Sequence, residues 1–212
     1  RLDRALKALK PDLIIACYGI NCGIYMPLDE ERFTKYKEGV QRLKKKAEAQ
    51  GAKVIFMTPP VYDKPNPKFD YDDVMTAYAK WLVSKRKDGW EVIDLHAVMK
   101  AELAKKREKD PKFKYSRDGV HPGGEGHELM AQQLIDFFAV KPPLKDPHPN
   151  AYGRMMMFLR ERMRAKRDAW LTEIGHKRPM RKGKPLAEAS KIADENTERI
   201  KQNLETILKQ AK

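Results

Sequence analysis

Asp118 and His121 stand three residues apart within Tyr115 to His127, which reads Y-S-R-D-G-V-H-P-G-G-E-G-H. An imidazole takes a proton from an oxygen nucleophile only if its second nitrogen keeps a proton and points somewhere fixed. A nearby carboxylate meets both conditions. Gly119 lets the turn close without a Cβ clash, and Pro122, Gly123 and Gly124 stop the preceding segment before a helix starts near Gly124. Seen alone, the pair also describes an Asp that caps a surface turn beside a solvated His. A third polar group, Asn21, follows Gly19 and Ile20 at the end of an apolar run. Its amide can donate to an oxyanion, or it can be an ordinary turn residue.

Positioning these groups requires a scaffold, and the chain alternates strand and helix signals. Leu2, Ala5, Leu6 and Leu9 recur at the spacing of an amphipathic helix that Pro11 stops. Asp12 to Tyr18 is continuously apolar after its first residue and bounded by turn residues, as in a strand covered by helices on both faces. Phe33, Tyr36, Val40, Leu43 and Ala47 keep a helical period up to Gly51. Lys53 to Thr58 forms a second strand, ended by Pro59 and Pro60 and followed by a loop rich in Pro, Asp and Tyr. Val74, Ala77, Tyr78, Trp81 and Leu82 mark a helix closed near Gly89, and Trp90 to Leu95 is a third strand. A lysine-rich helix then spans about His96 to Lys109, and another spans Glu125 to Phe138.

Such alternation calls for right-handed crossovers and a parallel sheet, with ligands at the carboxyl ends of the strands. Gly19 to Asn21, Pro59 to Tyr62 and Asp118 to His121 are therefore expected on one edge. Three strands make a thin sheet for a doubly wound domain, so a further strand is expected before Arg1. The chain also opens on Arg1 inside a helical pattern, which fits a natural start further upstream.

The combination of strand, G-x-N, alternating elements, D-G-V-H-P and helix resembles the GDSL or SGNH serine esterases. Gly19 and Asn21 match that family's third signature block, whose Asn donates to the oxyanion hole. Asp118 and His121 match its last block, D-x-x-H, where His is the general base and Asp orients it. Cys22 stands where the family usually has Asp after the Asn. The resemblance implies a flavodoxin-like three-layer α/β/α domain over residues 1–140, amino-terminally incomplete. It also implies carboxylic ester hydrolysis without metal or cofactor, on a small or carbohydrate ester such as a sugar acetate. Acyl transfer to an acceptor other than water belongs to the same chemistry. The nucleophile block is absent: Ser84, Ser116 and Ser190 are the only serines, and none follows a strand in a sharp turn into a helix. As given, the chain is expected to be inactive.

After Val140, K-P-P-L-K-D-P-H-P-N is a proline-rich boundary. Met155, Met156, Leu159, Met163, Trp170, Leu171 and Ile174 trace one helical stripe, and Leu186, Ile192, Ala193, Ile200, Leu204 and Ile207 another. Residues 141–212 are thus expected to form a helical hairpin. This part is the more basic: it holds 18 Lys and Arg against 9 Asp and Glu, out of 44 and 30 in the 212-residue chain. His176 to Lys184 has five cations in nine residues, which supports a competing reading as a non-catalytic domain that binds an anionic polymer or partner. No aromatics interleave the run and no nucleic-acid module is recognisable, so a solvated linker is its simpler description. No apolar run is long enough to span a membrane. Cys17 and Cys22 read as free thiols, and His96, His127, His148 and His176 form no metal-ligand set.

Overall fold

The structure, a computed structural model, describes residues 2–64, 68–140, 149–175 and 181–210. It divides into two compact units, Pro11–Lys141 and a second made of Arg1–Lys10 with Pro142–Lys212. The first unit is built on a parallel sheet, β1 (Leu13–Cys17), β2 (Lys53–Met57) and β3 (Glu91–Ile93), in the order β1-β2-β3.

The helices of this unit start where short acidic side chains cap them. Asp29 accepts from the Arg32 amide at the start of α2 (Glu30–Glu48), and Asp70 accepts from the Asp72 amide at the start of α3 (Tyr71–Ser84). Asp94 does the same for the Ala97 amide at the start of α4 (Leu95–Lys109). Each side chain satisfies an amide that the first helical turn leaves without a partner. The last helix of the unit, α5 (Gly124–Phe137), begins at Gly123 without a side-chain cap.

The alternation of side chains along β2 and β3 divides the core into two layers. Ile55, Met57 and Ile93 meet Leu95, Met99 and Leu103 of α4, with Leu129, Met130 and Leu134 of α5 packed against the same cluster. On the other face a chain of rings carries the packing. Phe56 stacks on Trp90 (5.1 Å), Trp90 meets Trp81 (6.3 Å), Trp81 meets Tyr36 (5.6 Å) and Tyr36 stacks on Tyr78 (4.3 Å). The result is a three-layer α/β arrangement of the flavodoxin-like kind.

One expectation needs correcting. Asp12 to Tyr18 reads as a strand buried on both faces, but β1 is an edge strand that pairs with β2 alone among the described residues, and Leu13 and Ile15 remain exposed. An apolar run does not show which of its faces is covered: Ile15 lies on the face of Ile55, yet the cluster that covers Ile55 includes no residue of β1.

Met99 has no exposed surface and sits amid the α4 and α5 cluster. Met99→Ala is expected to lower the unfolding free energy by about 2–5 kcal/mol, since the rigid sheet cannot fully collapse into the cavity. A urea midpoint unchanged from the parent protein would show that the cluster contributes little.

In the second unit, α1 is Leu2–Leu9, α6 is Pro149–Glu173 and α7 is Leu186–Gln210. The two long helices run antiparallel. Arg154 Nε donates to Asn203 Oδ1 near one end, Arg162 Nε to Thr197 Oγ1 further along, and the Gly183 amide to Thr172 Oγ1 at the turn. Ala151, Ala169, Ala189, Ala193 and Ile207 are buried, and these mostly small residues let the helices approach closely. The boundary stretch 141–148 and residues 176–180 of the basic run lie outside the described residues, including His148 and His176. Lys184, at the end of that run, pairs with Glu188.

Candidate active site

Asp118 forms a tight turn in which its side chain replaces backbone partners. Oδ1 accepts from the Val120 amide (2.9 Å), the His121 amide (2.8 Å) and the Ser116 hydroxyl (2.9 Å). Oδ2 meets His121 Nδ1 at 2.6 Å. The carboxyl is held far below the usual carboxylate range, first by the His121 ring, then by the amides of His121 and Val120, then by the Ser116 hydroxyl. It stays ionised at neutral pH and fixes the proton on Nδ1, which leaves Nε2 as the basic nitrogen.

The segments flanking this turn are equally constrained. Gly123 N donates to Tyr115 O at 2.7 Å, and Ser116 and Pro122 form an isolated antiparallel bridge. Gly119 has φ 89°, and a Cβ there would lie 2.4 Å from Lys64 Cβ. Only glycine fits that approach of the turn to the loop after β2. The His121 side chain is 83% exposed, beside an open cleft of about 500 Å³ lined by Lys114, Tyr115, Arg117, Asp118, His121 and Gly123.

Asn21 lies beyond the carboxyl end of β1. Gly19 precedes it with φ 141° and sits so close to Pro59 that a Cβ would approach Pro59 Cβ to 2.8 Å. The chain then winds through a compact turn, with Cys22 N donating to Gly19 O (2.8 Å) and Met26 N to Gly23 O (3.2 Å). Ile24 and Tyr25 are both in the left-handed region, at φ 51° and 58°. A β-branched residue adopts that conformation only where its surroundings impose it.

One imposing contact is the Tyr71 hydroxyl, which donates to Ile20 O at 2.9 Å. The other is the Tyr25 hydroxyl, which donates to Asn21 Oδ1. With its carbonyl oxygen engaged, Asn21 has its NH2 end left to donate. The Tyr25 ring lies 5.9 Å from Tyr62 and 5.2 Å from Tyr71. Its hydroxyl is pushed up by burial, then by Tyr62 and by the charge of Asp118. Tyr62 also touches the Gly119 turn, its ring 3.3 Å from where a Gly119 Cβ would stand. Asn21, Tyr25, Tyr62 and the Asp118 turn thus form a continuous set of neighbours, although Asn21 does not line the cleft beside His121.

None of the three serines follows a strand in a sharp turn into a helix. Ser84 Oγ donates to Trp81 O (2.6 Å), Ser116 Oγ to Asp118 Oδ1 (2.9 Å), and Ser190 lies on α7. His127 is exposed on α5. His96 is buried, its Nε2 2.9 Å from Thr76 Oγ1, and burial pushes its imidazole down so that it packs neutral. Lys100 bridges Asp72 and Thr76 beside it. Among the described residues no group of three or more His, Cys, Asp or Glu could hold a metal ion, Cys17 and Cys22 are free, and no helix is long and apolar enough to cross a membrane.

Two residues important to the geometry carry no sequence signal. Tyr25 follows no turn motif, and Asp63 belongs to no motif in its loop, yet Asp63 is buried and contacts the amide of Tyr115 (2.7 Å) and the guanidinium of Arg107.

Residues 1–129 match the profile of the GDSL-like lipase/acylhydrolase family. Among solved structures the chain is similar to Axe2, an acetylxylan esterase from Geobacillus stearothermophilus, with 20% identity and a TM-score of 0.50 over 68% of this chain and 70% of that one. A catalytic mutant of the same enzyme gives 19% identity and a TM-score of 0.51 over 66% and 65%. A GDSL-like lipase from Bacteroides thetaiotaomicron gives 18% and 0.43 over 64% and 67%. No curated protein matches the sequence.

Proposed function

The chain belongs to the GDSL-like lipase/acylhydrolase family, and from that premise we propose that residues 11–141 carry the acid–base and oxyanion half of a serine esterase whose nucleophile lies outside these 212 residues. The observation that carries the reading is the 2.6 Å contact between His121 Nδ1 and an Asp118 carboxylate already fixed by two backbone amides. Ser84, Ser116 and Ser190 do not supply the missing group, and the side of β1 that pairs with no strand among the described residues offers a place for a neighbouring strand that leads to one.

The serine hydroxyl attacks the ester carbonyl while its proton passes to His121 Nε2. Asp118 holds the ring and stabilises the imidazolium that forms. The carbonyl oxygen becomes an oxyanion and accepts from the Asn21 NH2, which Tyr25 keeps turned outward; Gly19 lets the turn that carries Asn21 form. Collapse expels the alcohol, which takes the proton from His121. Water then attacks the acyl-serine with His121 again as base, releasing the acid.

The fold shared with an acetylxylan esterase supports a carbohydrate acetate as substrate. Acetate release from acetylated xylooligosaccharides by the protein with its nucleophile, compared with a long-chain acyl ester, tests that choice. Preference for the long chain would overturn it. No hydrolysis of either ester, together with salt-sensitive binding of a polyanion, would favour the binding-domain reading of the basic second unit.

Asn21→Ala removes one oxyanion donor. It is expected to lower kcat by about 10² to 10³ while KM changes little. A loss confined to KM would place Asn21 in substrate binding instead.

A further inference from the structure

The loop after β2 contains a buried acid that the reaction does not use. Asp63, whose side chain is 1% exposed, holds the His121 loop at two separated points. Its carboxylate Oδ2 accepts from the Tyr115 amide at 2.7 Å, and its own amide donates to Gly119 O at 3.1 Å. The other carboxylate oxygen takes Arg107 of α4, whose Nε donates to Phe113 O at 3.1 Å. Two groups thus hold residues 113, 115 and 119, on the way into the Asp118 turn and within it.

The loop that carries Asp63 is itself anchored. Tyr62 N donates to Asp72 Oδ1 at 2.9 Å, and Asp72 pairs with Lys100 at 2.8 Å. The clasp therefore refers the catalytic turn to α3 and α4, not to solvent-exposed chain. That matters because the dyad is exposed, with side-chain exposures of 83% and 55% for His121 and Asp118. Packing around His121 cannot hold its ring, so the orientation has to come from the backbone that carries it.

We propose that Asp63 and Arg107 are positioning residues that keep His121 in the Nδ1–H form paired with Asp118. The proposal rests on the dyad reading of the site. A carboxylate suits the position because it can accept from an amide and a guanidinium at once, in a place from which water is excluded. Asparagine offers one acceptor oxygen for two donors. Removing Arg107 instead leaves a buried acid with its amide contact but without its cation.

The test reads the dyad and not the turnover. In the 212-residue chain labelled with ¹⁵N-histidine, the neutral His121 ring is expected mainly as the Nδ1–H tautomer, with a low-field proton shared with Asp118. Asp63→Ala is expected to lose that resonance and give mainly the Nε2–H form. Asp63→Asn and Arg107→Gln, milder changes that cover the case in which the alanine variant does not fold, should fall between. In the enzyme with its nucleophile, the same two variants should lose about 10- to 10²-fold in kcat with KM unchanged, as expected for a misplaced base.

A purely structural acid would lower the melting temperature but leave the tautomer of the folded protein unaltered. Folded Asp63→Asn and Arg107→Gln proteins with the parent tautomer ratio would overturn the clasp alone. A parent chain lacking the Nδ1–H form would overturn the dyad reading and the clasp with it.

Discussion

His121→Ala is expected to reduce kcat for p-nitrophenyl acetate by about 10⁶-fold in the protein that carries its serine, and the 212 residues alone should hydrolyse the ester at the background rate. Both expectations follow from one geometry. His121 is held by Asp118 through Nδ1, which leaves Nε2 to activate a hydroxyl, while Ser84 Oγ is bonded to Trp81 O and Ser116 Oγ to Asp118 Oδ1. Losing the base of such a unit costs about as much as losing the whole of it, because a serine without its base is a neutral alcohol. The experiment compares the 212-residue chain, the same chain joined to a strand-and-turn segment that supplies a serine, and that longer chain with His121→Ala. Turnover by the short chain well above background, undiminished by His121→Ala, would show that another group does the chemistry.

The parts of this site that were legible in the sequence are those made by short-range contacts. Asp118 and His121 are separated by a single turn, so their spacing nearly fixes their meeting, and Gly119 announces the positive φ that the turn needs. The sheet was legible too, because β2 and β3 have apolar runs, although the third run, read as a strand to Leu95, ends at Ile93 where Asp94 caps α4.

What escaped was decided at long range. Leu13 and Ile15 look buried by type and are exposed because the α4 and α5 cluster that covers Ile55 and Met57 on the same face includes no residue of β1. Tyr25 enters the site through a backbone turn containing Ile24 at φ 51°, a conformation that residue type argues against and that the Tyr71 hydroxyl bond to Ile20 helps to hold. Asp63 meets partners 44 and 52 positions along the chain. Neither period nor motif marks such a residue, because its role is defined by which loops the sheet brings together.

Asp118→Asn should cost about 10⁴ in kcat while leaving the loop folded. The Asn Oδ1 can still accept from the amides of Val120 and His121, so the turn has its backbone bonds. Its other end is now an NH2 that donates to Nδ1, which drives the ring proton onto Nε2 and leaves no base facing the serine. The pH dependence separates this from a loss of structure. The folded carboxyl lies far below the ordinary carboxylate value, held there first by His121. Its contribution to loop order is therefore complete above about pH 5 and is lost only as pH falls through the depressed folded value. Between about pH 5 and 8 Asp118 keeps one charge state, so any pH dependence of the parent enzyme in that window comes from a group other than Asp118. The Asn variant should be slow throughout the window, with parent-like amide resonances for residues 115–123. A variant that recovers parental kcat at any pH between 5 and 8 would show that Asp118 tunes the loop and does not set the tautomer of His121.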